Sequence, residues 1–583
     1  MLELTFHSCQ TCRDPEFPTR MSTKCALSLV LVFLVANSFG RLIFARQVTN
    51  SSSQAAVADS VSPPIVEALN LYQRGNFDAA ADKYREILKT YPQNSDAYVG
   101  LTRTLLKQKK VDQARAIIDK ATPIADSSKL RTAAGEVEFR EGRISEAERE
   151  WVNVINSGHP DGRAFLGLAR VSTALSLYRR AQTMLEKAHA ADPDDADIRK
   201  AWMRTLKRSE RIKYLEQYLS QSNADDAESR AHMQQYLEYL EARSLAPTPG
   251  CRLVGNISSA EAPLLNLLRD PTHLRGYGLE VNFGSQKTKL LLDTGAGGIL
   301  INRRIAEKAG LKQISATTFG GLGDRGEARG YVALAPSIRV GGLEFQDCPV
   351  EVIDHRSVVD EDGLIGADVF EKFLVHLDFA HQKLRLSELP KRPGQHAQDL
   401  ALTSDSDDQN SGEGGPSGTQ DSDSRGAAKA DDKGPFDHYI APEMKNYSQL
   451  LRFGHMLLIP TWVNDEKLAR FFLIDSGDFT TQLSLNAAKS ITKVHNDSTM
   501  QVKGVSGAVN QVYVADEATL VFAHLRQPTQ DVTVLDLKHL SDNVGTEVSG
   551  IIGFTTLRFL NMDIDYRDGL VFMEYQGPKW LVR

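Results

Sequence analysis

From about Pro64 to Ser244 the chain has the apolar periodicity of helices, and a longer period lies over it. Ala80, Ala114, Ala147 and Ala181 stand at equivalent positions, spaced 34, 33 and 34 residues apart. Each follows a similar lead-in, such as Gly75-Asn-Phe-Asp-Ala-Ala80 and Gly142-Arg-Ile-Ser-Glu-Ala147, and each has a large residue four positions on: Tyr84, Ile118, Trp151 and Leu185. Pro92, Pro160 and Pro193 close three of the four units, and a weaker fifth copy centres on Leu215. Ala246-Pro-Thr-Pro-Gly250 then breaks the helical pattern.

Beyond Cys251 the periodicity becomes that of strands. Tyr277 to Phe283 alternates, Gly284-Ser285 turns the chain, and Thr288 to Leu292 returns, which predicts a hairpin ending at Asp293. Gly298 to Ile301 is a short strand, and Asn302 can cap a helix running to Ala309 with Gly310 after it. Residues 436–583 repeat this plan. His455 to Val463 and Arg470 to Ile474 form a hairpin leading into Asp475-Ser476-Gly477. Ser484 follows Asp475 at the nine-residue offset that separates Asn302 from Asp293. Gly550-Ile-Ile-Gly553 corresponds to Gly363-Leu-Ile-Gly366.

Composition fixes the connections. Residues 391–435 are rich in Asp, Ser and Gly and have almost no large apolar side chains, so they read as a disordered acidic linker. The expected layout is an extension with a signal over 1–46, a linker over 47–63, helical repeats over 64–245, and β lobes over 251–390 and 436–583. Arg20 and Lys24 precede an apolar run from Ala26 to about Ala36, followed by small residues, the pattern of a secretory signal. Export to a periplasmic or secreted location is expected, with membrane attachment only if this segment is retained; Met21 could be the true start. The net charge of −7 gives no basic footprint for nucleic acid. Of five cysteines, Cys9 and Cys12 lie in the extension without a second metal-binding pair, and Cys25 lies in the signal. Cys251 and Cys348 would remain after processing and could pair in an oxidising compartment, though spacing alone does not decide it.

The chemistry lies in the two Asp turns. Two carboxylates, each delivered by an apolar strand into a hydroxyl-Gly turn, suit paired acid/base work: at short range both do not ionise easily, so one keeps a proton. The 64–220 region resembles the tetratricopeptide repeat, in which a small residue lets two helices approach. That resemblance implies a superhelix that binds a protein or peptide, or that only presents the next domain. Both β segments resemble lobes of the retropepsin/pepsin family of aspartic peptidases, on the ordered pairing of Asp-Thr/Ser-Gly with Leu364-Ile365-Gly366 and Ile551-Ile552-Gly553. The implied architecture is an all-α solenoid followed by two mainly-β lobes in a pepsin-like pseudo-dimer. The implied activity is endopeptidase action on polypeptide substrates. Asp293 and Asp475 would be catalytic, Thr294 and Ser476 would bond across the lobes, and Gly295 and Gly477 would shape the turns. The β loops near Gly320–Gly330 and Gly504–Val512 would be flaps. No metal or cofactor is implied.

Two positions depart from the family pattern. Ala296 stands where many pepsins have Ser, which predicts a less acidic optimum. Asp478 puts a third carboxylate three residues after Asp475; it either raises the pair's pKa, sits exposed in the turn, or marks a lobe that only completes the fold. Three alternatives therefore stand: an intramolecular dyad, an Asp293 paired with its copy in another chain, or a non-catalytic peptide-binding scaffold. His355, His376, His455 and His539 read as surface or satisfied core residues.

Overall fold

The repeated alanines all fall in the second helix of a pair. The pairs are Pro63–Gln73 with Phe77–Thr90, Ser95–Lys107 with Val111–Ala121, Ser128–Arg140 with Ile144–Asn156, and Gly162–Ala174 with Tyr178–Ala191. Ala196–Met203, Arg208–Gln221 and Ala227–Ser244 follow. All four alanines are buried, so only a methyl separates the paired helices there. Four residues on, Tyr84, Ile118, Trp151 and Leu185 are buried in turn. Trp151 fills space that a Cβ at Gly135 or Gly167 would enter, at 2.6 and 2.4 Å, and its indole N–H donates to the Thr132 carbonyl at 3.1 Å. Leu215 is fully buried beside Leu237 and Leu240.

The computed structural model describes residues 63–578, apart from 125–126, 159–160, 222–226, 245–250, 320–327, 355–357, 359–360, 394–436, 497–502, 505–506 and 510. The signal segment, Cys9, Cys12, Cys25, Pro160, His355, nearly all of the acidic linker and the tip of the first proposed flap lie outside the described residues. Among the described residues no helix is long and apolar enough to cross a membrane.

The β region builds two closed sheets. In the first, His273–Phe283, Gln286–Asp293, Gly363–Gly366, Ile299–Asn302, Leu343–Ile353 and Ala328–Val340 pair in that order and close on themselves. In the second, Met456–Val463, Arg470–Ile474, Gly550–Ile552, Gln482–Ser484, Leu525–Leu535 and Tyr513–Phe522 do the same. The predicted helix caps are made: the Asn302 side chain accepts from Ile305 N–H at 3.0 Å, and Ser484 from Ala487 N–H at 3.1 Å. A separate six-stranded sheet joins the two barrels, with its seam where Phe373–Asp378 runs antiparallel to Leu560–Asp565. Its inward residues, Val375, Leu377, Met562 and Ile564, belong to one apolar core that extends into both barrels. Cys251 and Cys348 form a disulfide, which settles the pairing that spacing left open.

The helices dock on the second barrel. Lys109, Gly142 and Ser176 occupy the same turn within successive helix pairs, all at positive φ. At these turns Lys538 Nζ donates to the Lys109 carbonyl at 2.6 Å, and Thr546 Oγ1 donates to the Phe139 carbonyl at 2.6 Å. Phe139, Trp151 and Leu168 share an apolar cluster with Phe453, Leu473, Val548 and Ile551. One edge of the repeat array is thus committed to the chain's own barrel, while Ala227–Ser244 packs on the strand Lys312–Phe319 of the first barrel.

Asp437 ties this assembly together by accepting from the N–H groups of Arg179 and Arg180, each at 2.9 Å, at the start of Tyr178–Ala191. A carboxylate there satisfies two free donors and faces the positive end of the helix. Asp437→Ala is expected to cost about 1 kcal/mol, a cap's usual worth. The readout is the urea midpoint, and an unchanged midpoint refutes it.

Candidate active site

The apolar run Leu290, Leu291 and Leu292 buries the strand that ends at Asp293, and Gly366 pairs with Asp293 from the parallel strand beside it. The chain then turns sharply. Asp293 Oδ1 accepts from the N–H groups of Gly295 at 2.8 Å and Ala296 at 3.0 Å. Asp475 is held in the same way, with Oδ1 accepting from Gly477 and Asp478 N–H at 2.9 Å each. The two carboxyl groups hydrogen-bond each other.

The hydroxyls between them lock the turns together. Thr294 Oγ1 donates to the Ile474 carbonyl at 2.8 Å and accepts from Ser476 N–H at 3.0 Å. Ser476 Oγ donates to the Leu292 carbonyl at 2.8 Å and accepts from Thr294 N–H at 3.1 Å. Both residues are buried, so each hydroxyl satisfies a backbone donor and acceptor that water does not reach. The six residues picked from the motif thus meet at one point.

The glycines matter through close approach. A Cβ at Gly295 would lie 2.6 Å from Asp475 Cγ, and one at Gly477 would lie 2.2 Å from Asp293 Oδ2. Gly477→Ala is therefore expected to displace the Asp293 carboxyl and cut kcat on the order of a hundredfold, the scale set by an ångström of misplacement. Circular dichroism should be unchanged. Wild-type kcat in this variant refutes the packing argument.

Electrostatics set the pair apart. Burial, then the charge and hydrogen bond of Asp475, raises the Asp293 pKa well above the usual carboxylate range. Burial also raises Asp475, against the pull of its bond with Asp293, the Asp478 and Gly477 N–H groups and the Arg275 cation. A pair placed like this keeps one proton in common.

Two sequence expectations are corrected. Asp478 is not an exposed turn residue: it is half-buried, it accepts from Thr480 N–H at 3.2 Å and from the amide of fully buried Gln482, and burial beside Asp475 pushes its pKa up to about 8. Its backbone does for Asp475 what Ala296 does for Asp293. His455 is neither surface nor ordinary core. Its ring lies over Gly297, whose Cβ would meet Nδ1 at 2.6 Å, and it donates to the Gly295 carbonyl. Burial and the nearby Arg452 push its pKa down to about 4. His376 does behave as a satisfied residue, between Asp563 at 2.7 Å and Ser387 at 2.8 Å, and His539 is exposed.

Arg275 was not singled out from sequence, although strand register makes it the counterpart of His455. Gly278 pairs with Leu291, and Leu458 with Leu473, two residues before each turn Asp. Arg275 and His455 each stand three residues before those partners, and each acts on the turn of the other barrel. Aligning the two hairpins on their Asp turns would have brought the two together. Asp368 is a further residue of the site: its carboxyl accepts from Gly298 N–H at 3.0 Å, and burial with Glu371 nearby pushes it up to about 7. In the second barrel the bond between the corresponding segments runs the other way, the Thr481 hydroxyl of the turn accepting from Gly553 N–H at 3.1 Å. Among the described residues no group of three or more His, Cys, Asp or Glu side chains is placed to hold a metal ion.

A family model described as aspartyl protease matches residues 279–369. Residues 279–369 are an aspartyl protease domain. A tetratricopeptide-repeat model matches residues 71–136, within the helical array. No curated protein matches the chain. The aspartyl protease domain contains Asp293, Thr294, Gly295 and Asp368, whereas Asp475 lies outside its limits.

Proposed function

We propose that the chain is an aspartic endopeptidase in which Asp293 and Asp475 form one intramolecular dyad, with lobes at 251–390 and 436–583 arranged as in pepsin. One observation carries this reading: two carboxyls face each other through matched turns and share a hydrogen bond. The ionised carboxylate takes a proton from a water as the water oxygen bonds to the peptide carbonyl carbon. The protonated carboxyl gives its proton to the carbonyl oxygen. When the C–N bond breaks, the first carboxyl passes its proton to the leaving nitrogen and the second recovers one from a diol hydroxyl. Thr294 and Ser476 hold both carboxyls in place.

The helical repeats fit a protein-interaction role. The disulfide suits an oxidising compartment and agrees with export through the N-terminal signal. The Asp478 carboxyl turns toward Gln482 and Thr480, so it gives no support to a degenerate second lobe.

The test is cleavage of an unfolded protein by the full chain from pH 3 to 8, with binding of a statine-type transition-state analogue measured in parallel. Because burial raises both carboxyls, the profile is expected to peak above about pH 4, the ordinary carboxyl range. A peak below that range contradicts the raised pair. No cleavage and no analogue binding at any pH leaves the peptide-binding scaffold as the reading.

A further inference from the structure

We propose that Arg275 and His455, set at equivalent positions on the two hairpins, fix which member of the dyad holds the proton: Asp293 is the acid and Asp475 the base. This rests on the dyad reading above. It is absent from the motif itself, which is symmetric.

The two crossing residues differ in kind. Arg275 comes from the strand His273–Phe283 of the first barrel, at the register position whose counterpart His455 reaches the opposite turn, and lies within electrostatic range of Asp475 and Asp478 of the second. Its Nη1 is buried with no hydrogen-bond partner among the described residues, so its charge is not spent on a close ion pair at that nitrogen. A guanidinium keeps its charge at every relevant pH. His455 comes from the equivalent point of the second hairpin and faces the Gly295–Gly297 turn of the first. It donates to a backbone carbonyl, and burial with Arg452 beside it keeps the ring neutral in the working range.

The charged surroundings of the two carboxyls are therefore unequal. Asp475 has Asp293 and Asp478 as acidic neighbours and Arg275 as a cation. Asp293 has Asp475 opposite and Tyr566 within electrostatic range, with a neutral imidazole at its turn. An opposite charge a few ångströms away stabilises an anion by one or more pKa units, and a neutral ring supplies no such term. The anion settles on Asp475 and the proton on Asp293. Arg275 is thus a positioning residue, acting through Asp475 rather than on substrate.

The experiment reads titration directly, by 13C NMR of the full chain labelled at aspartate Cγ. In the Asp293→Asn background the remaining Asp475 resonance is followed, and in Asp475→Asn that of Asp293. Adding Arg275→Gln is expected to raise the Asp475 midpoint by about one unit or more and the Asp293 midpoint by much less. Arg275→Lys, which keeps the charge, should hold Asp475 near its parent value, and it reports on folding as well. In the otherwise wild-type enzyme, Arg275→Gln should move the acid limb of the pH–rate profile upward by a similar amount. Equal shifts of both carboxyls, or none in either, overturn the assignment. Correct titration order without any cleavage would instead defeat the peptidase reading and leave the electrostatic asymmetry standing.

Discussion

Asp475→Asn, in the full chain, is expected to lower kcat/KM on an unfolded protein by about two to four orders of magnitude, and Asp293→Asn by a similar factor, the usual worth of a positioned acid or base. Each substitution keeps the shape of the turn, since an Asn Oδ1 still accepts the two N–H groups that hold the Asp. What is lost is the shared proton. Groups that act as one unit do not contribute additively, so the double variant should be hardly worse than either single one. Stability should move the other way. Both carboxyls have folded-state pKa values raised by burial, so the folded chain holds a proton that the unfolded chain releases as pH rises. The folded state then loses ground from about pH 4 upward. Either Asn variant should melt above wild type at pH 7, with the gap closing toward pH 3. Cleavage that survives Asp475→Asn would sink the intramolecular dyad and favour Asp293 acting with its copy in a second chain. A stability gap independent of pH would contradict the raised pair.

The parts of this site that were legible in the sequence are local. A carboxylate, a hydroxyl and a glycine in consecutive positions announce a turn, and a second copy at matching offsets announces a partner. The caps Asn302 and Ser484 were readable for the same reason, since the cap and its acceptor lie three residues apart. Residues whose role depends on the opposite barrel were not readable. His455 has no neighbour in sequence that marks it, because what it touches, Gly295 and Gly297, is about 160 residues upstream. Asp478 looked exposed because nothing nearby in sequence signals burial; its cover is Gln482, whose strand is walled in by Leu525–Leu535 and Gly550–Ile552. The disulfide was a matter of Cα separation, which spacing does not supply. The docked edge of the repeat array was equally silent. Nothing near Gly142 or Ser176 in sequence marks a contact, and only the fold places Gly142 against Phe471 and Glu547 and Ser176 against Gly569.

Replacing Arg452 with Ala is expected to destabilise the full chain by about 3–5 kcal/mol, the cost of removing one partner from a buried ion pair. Arg452 is 7% exposed and every arm of its guanidinium is used: Nη2 donates to Glu371 of the first barrel at 2.7 Å, Nη1 to the Tyr566 carbonyl at 2.7 Å, and Nε to the Gly454 carbonyl at 2.7 Å. It also lies over the Tyr566 ring, 5.2 Å from its centroid. One side chain therefore joins both barrels and fixes the Gly454 turn that presents His455. Its removal leaves Glu371 in a partly buried site without the cation facing it, close to Asp368, which burial already holds protonated to about pH 7. The loss should thus be steeper at pH 8, where Asp368 ionises without the nearby cation, than at pH 5. Arg452→Met together with Glu371→Gln removes the stranded charge and keeps the volume, so it should recover a large part of the lost stability. Urea unfolding followed by circular dichroism at both pH values measures all of these. A single variant that unfolds at the wild-type midpoint would show that the joint between barrels is carried by the shared sheet alone. A double variant no better than the single would assign the cost to the lost carbonyl contacts rather than to the Glu371 charge.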